Sequence, residues 1–216
     1  MALHLSVDEV LTTTRAVRKR LDLRRPVPRA VLYECLELAI QAPTGGNEQG
    51  WQWLFVDDAV KKLALAEIYR AVATPYIDAI SRRPHGDARD ERMRSNLSSG
   101  RYLSDHLHEV PVLLIPCLAG RPDDVDHLPG GTAAFWGSLL PAVWSFLLAL
   151  RSRGLGSTWT TFHLGGDGER RAAEILGIPY EEYSQAGLFP IAYTKGTEFR
   201  PAGRIPAAET TRWNTW

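Results

Sequence analysis

A mixed α/β domain is the fold class this sequence predicts, and three observations predict it. Apolar runs of strand length at Trp51–Val56, Val110–Leu118, Leu155–Phe162 and Gly187–Thr194 alternate with stretches whose apolar residues recur at helical spacing. The chain has 216 residues, enough for one sizeable core or at most two small ones. Its 44 % hydrophobic and 23 % charged fractions are those of an ordinary globular protein, and no internal repeat or low-complexity segment interrupts it.

Charge and cysteine usage narrow the class of partner. Lys plus Arg and Asp plus Glu both number 25, whereas a nucleic-acid binder usually carries a net basic domain. Cys35 and Cys117 lie far apart with no CxxC pairing, which fits reduced thiols in a cytoplasmic protein. Asp8 and Glu9 fall where a signal peptide needs its apolar core.

Ser6-Val7-Asp8-Glu9 is a capping-box pattern and predicts a helix to about Thr14. The run Arg15, Arg18, Lys19, Arg20, Arg24, Arg25 follows. It reads either as a solvated face or as cations gathered around one phosphate. Pro28 opens a second helix whose Val31, Leu32, Cys35, Leu36 and Ala39 keep helical spacing up to Pro43. Between Pro43 and the aromatic strand at Trp51 lie Thr44, Gly45, Gly46, Asn47 and Gln49. That loop is an ordinary turn or a ligand loop: its glycines permit close approach, and its uncharged donors and acceptors suit a polar heteroaromatic ring.

Asp57 or Asp58 caps a third helix through about Val72. Residues 74–105 read as an excursion or lid, helical again from about Met93 to His108. Val110–Leu118 is a buried strand in which Pro111 and Pro116 limit pairing on at least one side. After a loop at Asp123–Gly131, Ala133–Leu150 is an uncharged run of 18 residues, at the lower edge of a membrane span. Gly137, Ser138, Pro141 and Ser145 interrupt it, so a helix buried in protein is favoured over membrane anchoring. Gly154 ends it, Leu155–Phe162 is a strand, Asp167–Leu176 a short helix and Gly187–Thr194 a strand. The tail Lys195–Trp216 carries Arg200, Arg204, Arg212, Trp213 and Trp216 without periodicity, and is expected to dock on its own body or on a partner subunit.

Several chemistries lack their motifs. No GxSxG elbow or Walker A loop occurs, and Gly154-Leu155-Gly156-Ser157-Thr158-Trp159 has Trp159 where a dinucleotide fingerprint needs glycine. His106 and His108 diverge on a helix beside Asp105 and Glu109, which reads as a solvated or salt-bridged face rather than a metal site. Cys117 reads as a core residue, and His163 as a satisfied structural histidine, with a flavin-facing role as the alternative. A chain with phosphate-binding material and amide-rich loops but no protein nucleophile either only binds or leaves the hard chemistry to a cofactor.

Three motifs in order resemble those of the FMN-dependent, oxygen-insensitive NAD(P)H nitroreductase family. Thr14-Arg15-Ala16-Val17-Arg18-Lys19 resembles its Arg-Arg-Ser-x-Arg-Lys pattern. The resemblance implies that Arg15 and Arg18 contact the FMN phosphate and ribityl chain, with the serine hydroxyl lost at Ala16. Ala42-Pro43-Thr44-Gly45-Gly46-Asn47-Glu48-Gln49-Gly50-Trp51 is similar to Ala-Pro-Ser-x-x-Asn-x-Gln-Pro-Trp. It implies that Pro43, Thr44, Asn47 and Gln49 touch FMN held mainly by the other subunit of a homodimer. The Gly154–Thr161 segment resembles Gly-Leu-Gly-x-x-Trp, which implies that Trp159, Thr160 and Thr161 lie at the flavin ring edge. Pro201-Ala202-Gly203-Arg204 resembles a C-terminal basic element, with Arg204 closing on the phosphate and Ala202 in place of the preceding basic residue.

The resemblance further implies an α+β fold, a three-layer α/β/α sandwich with a mainly antiparallel central sheet and a domain-swapped C-terminal tail. Residues 1–216 would form one FMN-binding domain, with a lid over 74–105 and an extension over 195–216 docking on the partner subunit. The implied activity takes hydride from NADH or NADPH and passes it in ping-pong turnover to a small-molecule electron acceptor such as a nitroaromatic or quinone. The chemistry is carried by FMN N5, with no catalytic side chain, no metal, no nucleic acid and no membrane. Alternatives are another flavin reaction, such as dehalogenation, flavin destruction or enone reduction, or a flavin- or nucleotide-binding regulatory protein without turnover.

Overall fold

The computed structural model describes residues 2–81, 89–125, 127, 128 and 130–216, with backbone alone for 89–92. Residues 82–88 of the expected excursion lie outside this description. Helix α1 (Val7–Thr13) starts from the predicted capping box: Ser6 Oγ accepts from Glu9 N, and Ser6 N donates to Glu9 Oε2 at 2.7 Å. Helix α2 (Arg29–Ala39) buries Leu32, Cys35 and Ala39, and strand β1 (Trp51–Val56) has the predicted bounds. Strand β2 (Val112–Ala119) lies at the centre of the sheet. Strands β3 (Leu155–Gly156), β4 (Tyr183–Gln185) and β5 (Phe189–Tyr193) complete it.

Among the described residues the strand pairings are antiparallel: β1 with β2, β2 with both β4 and β5, and β5 with β3. Pro116 explains how β2 serves two partners on one side. Val112–Leu114 pair with β5 and Cys117–Ala119 with β4, so the proline, which has no N–H to give, falls at the change of partner.

The continuous apolar run of β2 is resolved by its pleat. Val112, Leu114 and Leu118 pack with Leu32, Cys35, Phe146 and Leu150 on one face. Leu113, Ile115 and Cys117 pack with Leu65, Ile68, Tyr69 and Leu103 on the other. A strand buried on both faces has no polar alternation to show. The result is the three-layer α/β/α arrangement. One outer layer holds α2 with α5 (Gly131–Gly137) and α6 (Leu140–Ser152). The other holds α3 (Ala59–Ser81), α4 (Arg89–His106) and α7 (Gly168–Leu176).

The local reading errs in four places. The single helix over Ala133–Leu150 is two, because Leu139 leaves helical geometry and Pro141 starts α6 in the first turn, where its missing N–H costs nothing. Gly131–Ser152 is apolar and long enough to cross a membrane by length and composition, yet Ala142, Val143, Phe146 and Leu150 are buried in the protein core. Helix α3 continues past Val72 through Pro75 to Ser81, because Tyr69, Ala73 and Ile77 pack into the core and override the proline. The strand over Leu155–Phe162 shrinks to two residues. Beyond Gly156, Ser157 and Thr160 make single bridges to Ala16 and Leu188, and Phe162–Leu164 form a 3-10 turn. The fourth helix begins at Arg89 rather than Met93 and ends at His106, whose Nδ1 lies 2.6 Å from Glu109 Oε1, the paired face expected there.

Candidate functional site

The basic segment near the N-terminus is held against the sheet by its own backbone. Ala16 bridges Ser157 in parallel, Val17 N donates to Ser157 O at 2.8 Å, and Leu21 bridges Thr194. Val17 and Leu21 turn into the core. Gly156 makes this approach possible: a Cβ there would stand 2.7 Å from Thr194 Cγ2 and 3.0 Å from Val17 Cβ.

The pairing brings two sequence motifs into one cavity of 160 Å³. Arg15, Ala16 and Arg18 enter from one side, and Gly156, Ser157, Thr158 and Trp159 from the other. Arg15 Nη1 donates to Arg200 O at 2.7 Å, and Arg18 is half-buried with Nη1 3.4 Å from Ser99 Oγ. Burial holds the Arg18 guanidinium below its usual range, with a smaller opposing effect of Tyr69. Trp159 Nε1 donates to Ala186 O at 3.3 Å, which fixes the indole at the rim. Thr160 is buried, with its Oγ1 donating to Tyr69 Oη at 3.4 Å and its backbone paired to Leu188. Thr161 is exposed. Neither threonine lines the cavity.

The amide-bearing loop stands elsewhere in the protomer. Its 3-10 turn, Gly45–Asn47, is followed by Gln49, and both Asn47 (φ 56°) and Gln49 (φ 51°) occupy the left-handed region. That conformation is uncommon for residues with side chains, glutamine above all, and such backbone concentrates at functional loops. Thr44 Oγ1 accepts from Gln49 N at 3.2 Å, and Gln49 Nε2 donates to Asn47 Oδ1 at 3.1 Å. Thr44 and Gln49 line a second cavity, of 290 Å³, with Arg121 and Phe135, while Pro43 and Asn47 are exposed beside it. Arg204 is exposed on the tail, with Nη1 3.4 Å from Gly203 O, and lines neither cavity.

The tail divides. Arg20 donates to Lys195 O and Glu198 O and lies 4.0 Å over the Phe199 ring, so residues 195–200 are fastened to their own body. Beyond them Ile205, Trp213 and Trp216 are exposed.

The reading from sequence missed Arg151, Thr13, Trp144 and Phe199, which also line the first cavity. A charged residue at the end of an apolar helix was the only signal for Arg151. Thr158, Ser157 and Arg151 line that cavity, and their Oγ1, Oγ and Nη1 are buried with no hydrogen-bond partner among the described residues. Buried polar groups are nearly always satisfied, so these atoms fit a polar, anionic guest such as a flavin nucleotide.

The nitroreductase family model matches residues 11–193, and the chain belongs to that family. A protein of Thermus thermophilus named NADH dehydrogenase is 29 % identical over 94 % of this chain and 97 % of its own. Among solved structures, iodotyrosine deiodinase bound to FMN and 3-iodo-L-tyrosine superposes with a TM-score of 0.70 at 22 % identity, over 98 % of this chain and all of that one. An FMN and NADPH-dependent nitroreductase from sphigopyxis sp. strain HMH gives 0.66 at 20 % identity, again over 98 % of this chain and 100 % of its own. At these identities the two structures establish the shared fold.

Proposed function

We propose that the protein is an FMN-dependent oxidoreductase that takes hydride from NADH or NADPH and passes it to a small acceptor such as a nitroaromatic or quinone. The observation that carries this reading is the cavity uniting Arg15 and Arg18 with the Gly156–Trp159 segment. Relatives named for FMN and for NADH or NADPH support it. Bound FMN would supply the redox chemistry in two half-reactions. The protein's part is positioning and electrostatics: Arg15, Arg18 and Arg204 neutralise the phosphate, and Ser157, Thr158 and Trp159 offer polar groups to the ring edge.

The active unit in this reading is a homodimer. At 160 Å³ the arginine cavity is smaller than the roughly 300 Å³ at which ligand pockets usually begin. The partner's Pro43–Gln49 loop and its tail with Arg204 complete the site. An apolar surface with Val7, Leu11 and Leu38 exposed continues onto the half-buried Leu148 of α6 and suits the interface. Residues 1–216 act as one FMN-binding domain in the cytoplasm, with 74–105 as a lid that selects the acceptor and, of the 195–216 extension, the part beyond Arg200 exchanged between subunits. Neither nucleic acid nor membrane enters this reading.

Anaerobic titration of the purified protein with NADH and with NADPH, followed by nitroaromatic, quinone and haloaromatic acceptors, tests it. The expected result is a yellow protein that releases FMN on denaturation, bleaches with a nicotinamide and regains colour with an acceptor. A colourless protein that cannot be reconstituted would defeat the reading. A yellow protein bleached by neither nicotinamide would favour a binding protein without turnover.

A further inference from the structure

Arg151 stands in the last turn of α6 and is only 6 % exposed. Its Nε donates to Thr13 Oγ1 at 3.1 Å, and its guanidinium carbon lies 5.0 Å from the Phe199 ring. Nη1 is buried with no hydrogen-bond partner among the described residues. Among the described residues no carboxylate lies within 4.0 Å of it. Glu198 and Glu9 act on it from farther away, while Arg20 repels it, and burial outweighs them all in lowering its affinity for the proton. A desolvated guanidinium is costly unless an anion or a full set of acceptors meets it. The cavity it lines also receives Arg15 and Arg18, and among the described residues no Asp or Glu lines it. Three cations therefore line a cavity to whose wall, among the described residues, no carboxylate contributes.

We infer that Arg151 is a phosphate-binding residue of this cavity, its guanidinium meeting the phosphate monoester of the flavin nucleotide. The inference rests on the flavoprotein reading above and adds a cation that belongs to none of the three motifs. A neutral ring oxygen offsets none of these positive charges, whereas a phosphate dianion offsets two of them, and the guanidinium fork matches its paired oxygens. Arg151 thereby supplies from within the protomer a contact that the Ala16 and Ala202 positions do not. The structural alternative is a staple that fastens α6 to α1 through Thr13.

Binding of FMN and of riboflavin to the apoprotein separates the two roles, because riboflavin lacks only the phosphate. In Arg151→Met, which keeps the apolar stem, FMN should bind at least tenfold more weakly and riboflavin within twofold of wild type. Equal losses for both, or unchanged FMN affinity, would overturn the assignment. If the Met variant does not fold, Arg151→Lys decides: FMN affinity should fall at least threefold with riboflavin unchanged, and any other pattern overturns the assignment. A wild type that takes up no flavin defeats the flavoprotein reading instead. Inorganic phosphate then serves as the probe, and it should raise the melting temperature of the wild type over ionic-strength-matched chloride but not that of the variant. No shift in the wild type, or equal shifts in both, would remove Arg151 as an anion ligand.

Discussion

Val17 N donates to Ser157 O at 2.8 Å, and this bond joins two segments 140 residues apart into one cavity wall. The contact depends on Gly156, whose missing side chain leaves room for Val17 and Thr194. Gly156→Ala should therefore cost about 1–3 kcal/mol, the usual range for overpacking a filled site. It should also weaken FMN retention by shifting Arg15 and Arg18. Denaturant unfolding and flavin content check the two effects together; wild-type values for both would mean that the segment yields without strain.

Arg204 is exposed, with Nη1 3.4 Å from the Gly203 carbonyl oxygen of its own chain. Arg204→Ala should leave stability within about 0.5 kcal/mol of wild type. Loss of a charge-assisted hydrogen bond of about 1.5–3 kcal/mol would weaken FMN roughly 10- to 100-fold. Isothermal titration of the apoprotein measures this, and unchanged affinity would take Arg204 out of the phosphate site.

His163 gives the fold a defined acid sensitivity. Burial pushes its imidazole down to about 4, against a smaller effect of the Gln185 side chain. The unfolded chain takes up this proton near pH 6.5, before the native protein does. The contribution is thus complete above about pH 6.5 and is lost as the pH falls toward 4. Its slope reaches at most about 1.4 kcal/mol per pH unit. Unfolding curves between pH 7.5 and 4.5 should be flatter for His163→Asn than for wild type; identical slopes would assign the sensitivity to other groups.

The proposed interface predicts an oligomer that one surface charge can split. Leu38 is 53 % exposed beside Val7 and Leu11. Leu38→Asp should convert dimer to monomer in sedimentation while retaining the circular dichroism of the folded chain. A variant that stays dimeric would move the interface to another face.

The two thiols should be silent in the native protein. Burial pushes Cys35 up to about 11 and Cys117 up to about 12, so neither forms thiolate near neutrality. A chromogenic disulfide reagent at pH 8 should detect no thiol before denaturation and both afterwards. Rapid native reaction at either position would reveal local opening of that layer.

The sequence by itself determined the elements whose cause is local. The Ser6–Glu9 box starts α1, the aromatic run of β1 has its predicted bounds, and Gly177, left-handed at φ 73°, stops α7. Helical and strand periods report which face is apolar, and caps and glycines report where backbone geometry must change. The motifs at Arg15–Arg18 and Gly154–Trp159 were legible as well, because their residue types are unusual at those spacings. Tertiary structure alone decided what those periods cannot encode. It carried α3 through Pro75 by burying Tyr69 and Ile77, and it cut the third strand short at Gly156, where single bridges to Ala16 and Leu188 replace the ladder. It also drew Arg151 from the end of an apolar helix to the side of Arg15, 136 positions away in sequence. Long-range packing sets which distant residues share a cavity, and no local period records that choice.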